Sequence, residues 1–330
     1  MPDRRVHLLL LSVLCCLPAC RSSPPAEPLA RYGDEIIVAG HAFRVGTPVV
    51  LWTDPGGYDA YRTEARFAPR GQHRFADIAE KVGTPNRYGL RFERTMSDQQ
   101  FARHRGGKWT LEELQQRIDL FVIHYDACGT CRRCFEVLHD HRGLSVHFML
   151  DVDGTIYQTL DLKERAWHAG PYNDRSVGIE IANIGAFPPK TAAQNLSSWY
   201  RKQDDGRTQL IIPEHEKTWI RTPDFVGFSS RDDWVAGPIH RREVVQYDLT
   251  PQQYQALIRL TEGLSRALPR IQLRYPQDEQ GRPRNDLMTE AELAEYAGLV
   301  GHYHLTEYKI DPGPAFQWDH VVNGARGLSD

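Results

Sequence analysis

Between positions 301 and 316 the chain reads GHYHLTEYKIDPGPAF. An imidazole and a carboxylate, His302 and Asp311, bracket most of it, and the Lys309 ammonium stands just before the second. Asp-Pro-Gly-Pro is rigid turn chemistry, because each Pro fixes φ and the Gly permits the bend. Upstream, His124 follows the apolar run Leu120–Ile123, and Glu180 sits between Ile179 and Ile181. Two imidazoles and one carboxylate suit zinc, which takes three protein ligands and leaves a fourth position for water. A carboxylate in an apolar strand must be paired or bonded, since burying it bare is costly. Glu180 therefore reads either as half of a structural ion pair, with Arg165 or Arg175, or as a general base over a metal site. The bland reading of 301–316 is a polar loop around one buried His. His124 and Glu180 tip the balance toward chemistry.

The elements that must position these groups are legible in outline. Leu120–Ile123 suits a short strand buried on both faces, with His124 where it emerges. Thr110-Leu111-Glu112-Glu113 is a capping box that opens a helix to about Ile118. Cys131, Cys134, Phe135 and Leu138 fall on one helical face within 130–142, and Gly143 ends that helix. Ser145–Asp151 alternates, Asp153-Gly154 turns, and Thr155–Leu160 returns as a hairpin partner. Ser176–Ala182 puts Val177, Ile179 and Ile181 on one face and Gly178, Glu180 and Ala182 on the other, so small neighbours leave space above Glu180. Thr250 and Gln253 cap the clearest helix, with Pro251 in its first turn and Pro269 as its stop. Thr289–Glu292 starts a short helix that delivers Leu299–Gly301 and then His302. Strands interleaved with helices predict an α/β fold (α+β type), a mixed central sheet flanked by helices.

The 330 residues carry a formal net charge of −3, which offers no electrostatic case for nucleic acid. Apolar content of 41% allows a sizeable core. Arg4 and Arg5 precede the apolar run Leu8–Leu17, which is too short for a comfortable membrane span. It ends in Leu17-Pro18-Ala19-Cys20, which resembles a bacterial lipoprotein signal with Cys20 as the lipidated residue. An ordinary secretory signal cut nearby is the alternative, and either predicts export. Arg21 after the Cys resembles sorting to the outer membrane, facing the periplasm, in a Gram-negative host. The expected layout is a leader at 1–19, a Pro- and Ser-rich tether at 20–31, an extension of unknown role at 32–108, and a main domain at 109–325. Within that domain, about 186–248 reads as an insertion that could roof a cleft or gate it.

Five segments then line up in order: FVIHYD (121–126), SVHFMLDVDGTIYQ (145–158), RAWHAG (165–170), SVGIEIAN (176–183) and GHYHLTEYKIDPGPAFQW (301–318). Together they resemble the motifs of the zinc-dependent N-acetylmuramoyl-L-alanine amidases of type 2, which include peptidoglycan-recycling amidases, phage amidases and animal peptidoglycan recognition proteins. The resemblance covers roughly 119–185 and 250–320. It implies zinc ligands at His124, His302 and Asp311, a catalytic carboxylate at Glu180, and an oxyanion-stabilising Lys309. It also implies Trp167 and His168 as lining of the substrate cleft. The implied reaction is zinc-assisted hydrolysis of the amide between the lactyl group of N-acetylmuramic acid and L-Ala of peptidoglycan. A peptidoglycan-binding module without turnover and a zinc peptidase acting on the stem peptide are the competing readings.

Two departures bear on this. Some relatives carry a catalytic Tyr where this chain has Val146, so the burden falls on Glu180. The loop from His302 to Asp311 is one residue short, which leaves His304 as a rival ligand. Of the six cysteines, Cys128, Cys131 and Cys134 remain beyond the leader and Cys20. An exported compartment favours a disulfide, Cys128–Cys134 or Cys128–Cys131, over free thiols or a zinc site shared with His139 and His141.

Overall fold

The computed structural model describes residues 31–67 and 75–329. The leader, Cys20 and the tether lie outside the described residues. Residues Tyr32–Asp330 form one compact unit. Its strands, in chain order, are β1 (Glu35–Val38), β2 (His41–Arg44), β3 (Val49–Leu51), β4 (Tyr88–Leu90), β5 (Leu120–Tyr125), β6 (Phe148–Leu150), β7 (Ile156–Gln158), β8 (Glu164–Ala166), β9 (Ser176–Ile181), β10 (Tyr200–Lys202), β11 (Thr208–Leu210), β12 (Val235–Ile239), β13 (Arg242–Gln246) and β14 (Gly298–Gly301).

Six of them make the central mixed sheet, in the order β14-β5-β9-β6-β7-β3. The β14, β5, β9 and β6 strands run parallel, and only the expected β6–β7 hairpin is antiparallel. Alternation decides which face each side chain takes. Val177, Ile179 and Ile181 enter a core with Phe121, Ile123, Phe148 and the helix Pro251–Ala267, whose Tyr254, Leu257, Leu260 and Leu264 are buried. The capping boxes expected at Thr110, Thr250 and Thr289 all form. The helix from Cys131 is α-helical to Phe135 and then widens to a π-helix over Glu136–His141.

The stretch 32–108 takes part in this framework. Strand β3 joins the sheet beside β7, and β4 pairs antiparallel with β8. Arg91, fully buried, donates through Nε to the Leu162 carbonyl and through Nη1 to those of Asn173 and Asp174. Residues 186–248 carry two ribbons, β10–β11 and β12–β13. They are tied to the main body where Thr130 donates to buried Glu216 (2.7 Å) and Arg133 pairs with the same carboxylate. Among the described residues no helix is long and apolar enough to cross a membrane.

Candidate metal centre and catalytic cavity

The site forms at the carboxyl ends of parallel strands, where backbone geometry collects side chains from distant parts of the chain. In the register of β5 and β9, His124 is opposite Glu180. On the other side of β5, β14 runs parallel and ends at Gly301, so the next residue, His302, emerges beside His124. The turn that follows returns Asp311 to the same spot, with its backbone carbonyl accepting from the Tyr303 N–H.

Three ligand atoms meet there. Asp311 Oδ2 lies 2.9 Å from His124 Nδ1 and 3.0 Å from His302 Nδ1, and the two Nδ1 atoms are 3.0 Å apart. Tetrahedral bonds of about 2.0–2.2 Å would separate ligand atoms by about 3.3 Å, so this donor set fits zinc in kind and in spacing. Among the described residues no other three His, Cys, Asp or Glu side chains come together in this way. The rival His304 is used elsewhere: its Nδ1 accepts from the Gly301 N–H and its Nε2 faces the Arg284 carbonyl.

Electrostatics agree with a cation site. Burial, assisted by neighbouring His302, lowers the His124 pKa to about 4, which keeps a lone pair available. Burial alone would raise the Asp311 carboxyl, but His302 and His124 together hold it well below the usual range. Glu180 goes the other way. Burial, then the negative Asp311 and Asp126, raise it well above an ordinary carboxylate, while Lys309 opposes them. Neither of the two expected arginines pairs with it, since Arg165 binds Asp174 and Arg175 binds Asp119. Its Oε2 is buried without a hydrogen-bond partner. An unpartnered carboxylate oxygen beside three converging ligand atoms favours the general-base reading over the structural one.

These groups line one cavity of about 250 Å³, together with Trp167, His168 and Lys309. Lys309 is exposed at its rim, and no residue of 186–248 lines it, so the insertion does not roof the cleft. What the insertion does is hold the ligand turn. Gln246 of β13 donates to the Pro312 carbonyl and accepts from the Ala315 N–H. Gly313, at φ 84°, leaves room for that amide, because an added Cβ would lie 2.1 Å from Gln246 Oε1.

His168 lines the cavity as expected, and it also touches a ligand. Its Nδ1 lies 3.0 Å from His124 Nε2, and its Nε2 lies 3.3 Å from the Ser176 hydroxyl. This chain fixes which nitrogen of His124 faces Asp311. Gly178 makes it possible, since a Cβ there would come within 2.5 Å of the His168 ring. Behind it, His147 Nδ1 accepts from the Gly178 N–H and its Nε2 contacts buried Arg91. Sequence reading missed Ser176, Arg91 and Gln246. The alternation of SVGIEIAN could have flagged Ser176, which shares a face with Gly178 and Glu180. Nothing local marks the other two.

The thiols depart from expectation. Cys128, Cys131 and Cys134 are all free. Cys131 and Cys134 are buried one helical turn apart, in the same hydrophobic core. Cys128 and Cys134 line the same cavity without a covalent link. The zinc alternative fails too, for His139 bonds to Asp140 and to the Arg62 carbonyl.

A family model described as N-acetylmuramoyl-L-alanine amidase (Amidase_2) matches residues 114–314. The chain belongs to this amidase family. Strands β5 through β14, Glu180, His124, His302 and Asp311 fall within the matched span. No curated protein matches the chain. Solved structures that resemble it include the N-acetylmuramyl-L-alanine amidase AmiD from E.coli, in complex with the substrate anhydro-N-acetylmuramic acid-L-Ala-D-gamma-Glu-L-Lys. That likeness has 20% identity over 63% of this chain and 57% of that one, with a TM-score of 0.35, so this chain spans little more than half of AmiD. A selenomethionine derivative of AmpD is 18% identical over 64% of this chain and 86% of that one, at a TM-score of 0.31. The endolysin amidase LysCS from Clostridium intestinale URNW is 16% identical over 64% and 86%, at 0.33.

Proposed function

We propose that this member of the amidase family hydrolyses the amide between the lactyl group of N-acetylmuramic acid and L-Ala of the peptidoglycan stem, with zinc held by His124, His302 and Asp311. One observation carries the reading: the three ligand atoms converge within 4.8 Å of one another in the cavity where Glu180 Oε2 is buried and unpartnered. When bound, zinc would supply Lewis acidity to the scissile carbonyl and to the attacking water. The chain's own groups do the rest. Glu180 takes the proton of the attacking water at Oε2 and returns it to the leaving amine of L-Ala. Lys309, exposed at the rim, brings its ammonium to the oxygen on which negative charge develops, an interaction of about 3–4 kcal/mol. Trp167 walls the cleft, and the His168–Ser176 chain keeps His124 in one tautomer.

Mass spectrometry of murein digests tests this. The amidase reading expects free stem peptides that begin with L-Ala. Trimmed peptides would indicate a peptidase, and no release at all would indicate a binding module. The exported location belongs to the same proposal: the leader and Cys20 support a lipid-anchored protein at the outer membrane, facing the periplasm. Labelling with a radioactive fatty acid should mark the wild type and not Cys20→Ser; equal labelling of both would remove the anchor.

A further inference from the structure

A second cavity, of about 610 Å³, opens where 52–107 meets residues 161–164. It is more than twice the size of the cavity at His124, about 250 Å³, and falls in the range of small-ligand pockets. Its wall is a run of partly exposed aromatic rings. The centroids of Trp52 and Tyr61 are 5.6 Å apart, and Tyr61 meets Tyr88 edge-on at 4.9 Å. Polar groups are set into the same wall. The Tyr61 hydroxyl donates to Glu164 Oε1 at 3.2 Å, and Lys163 stands next to Glu164. The space over that carboxylate is kept by Gly107, at φ 70°, where a Cβ would lie 3.1 Å from Glu164 Oε1.

This chemistry is selective. Flat aromatic faces bind the C–H face of a pyranose, and interspersed acceptors and donors bind its rim of hydroxyls and amides. The charges offer little to a strongly ionic ligand. Asp161 is consumed by the N–H groups of Ala39, Gly40 and Lys163, while Glu164 and Lys163 offset each other.

The position is equally telling. Glu164 opens β8 in this cavity, and Trp167, just past the end of the same strand, lines the cavity of His124. Gly89, on the paired strand β4, lines the second cavity and packs against Trp167, its Cβ position 3.7 Å from the indole nitrogen. Three residues of extended chain span about 10 Å, within reach of adjoining units of one glycan strand.

We propose that this cavity is a glycan subsite that takes a neutral, N-acetylated hexosamine unit of the strand whose muramoyl amide lies at His124. The identity of the sugar rests on the amidase reading above.

The test is calorimetric titration of the full chain with a peptide-free, β-1,4-linked N-acetylglucosamine tetramer, which contains no bond for the amidase to cut. The wild type binds it saturably. Tyr88→Ala weakens binding about tenfold or more, Tyr88→Phe keeps it, and Asn86→Trp, which fills the exposed rim without touching the core, abolishes it. On glycan-bearing substrate Tyr88→Ala raises KM and leaves kcat, while turnover of a single-sugar muramoyl peptide is unchanged. The proposal is overturned if the tetramer does not bind the wild type, if Asn86→Trp and Tyr88→Ala bind it as the wild type does, or if only Trp167→Ala loses it. Failure of the amidase reading looks different: no stem peptide is released from a muramoyl peptide, whatever the titration gives.

Discussion

Glu180 is set apart from every other carboxylate near the site by having nothing to hold it. Asp311 shares its oxygen between two imidazoles, and Asp126 accepts the N–H groups of Cys128, Gly129 and Asn183. Asp126 and Glu180 both have a raised pKa and one unpartnered oxygen, but the other oxygen of Asp126 is held by those three N–H groups. The place of Glu180 beside the three converging side chains is what favours proton transfer as its role. Glu180→Gln should therefore keep its metal and lose about 10²–10⁴-fold in kcat, read as stem-peptide release against zinc content. Metal loss in that variant would make Glu180 a ligand instead. Lys309 is exposed, so Lys309→Met should leave the melting temperature alone and lower kcat by about 10²–10³-fold. A change confined to KM would assign Lys309 to ground-state binding only. These roles are what the resemblance of the segments at 121–126, 176–183 and 301–318 to the amidase motifs implies for His124, Glu180, His302, Lys309 and Asp311. The contact from His168 to the outer nitrogen of His124 was not readable, because sequence shows that two residues are near a cleft and not which ring atoms meet.

At the scale of elements, the hydrophobic pattern was a good guide where it was long or repeated. The strand around Glu180, the β6–β7 hairpin, the helix from Pro251 and three capping boxes follow from period and cap chemistry alone. The pairing partners of strands β3 and β4 could not be read in this way. Each strand has three residues; β3 pairs with β7, 107 positions downstream, and β4 with β8, 74–78 positions downstream. The same holds for Gln246, whose importance comes from the turn it meets. Gln246→Ala would remove both ties to the Asp311 turn and should weaken zinc affinity about 10–100-fold, measured by competition with a chromogenic chelator. Unchanged affinity would mean that the Pro312 and Pro314 rings hold the turn unaided.

At the scale of the whole molecule, the core has acidic groups that burial keeps protonated. Asp151 is fully buried, with Oδ1 accepting from the Val152 N–H and Oδ2 unpartnered. Burial, with Asp153 nearby, raises its pKa from 3.8 to about 8. A raised carboxyl pKa contributes stability that is complete below its unfolded value and lost as pH climbs through the folded one. The wild type should thus lose stability relative to Asp151→Asn between about pH 4 and pH 8, with the difference level outside that window. Urea unfolding of both proteins across this range measures it, and parallel curves would contradict the assignment.

The central claim is that residues 178 and 187 positions apart from His124 join it around a single zinc ion. The most direct measurement is metal stoichiometry of the purified chain by mass spectrometry, with Glu180→Gln and His302→Ala beside it. One zinc per chain is expected in the wild type and in Glu180→Gln, and none in His302→Ala. One full equivalent of zinc retained by a folded His302→Ala protein would contradict that claim.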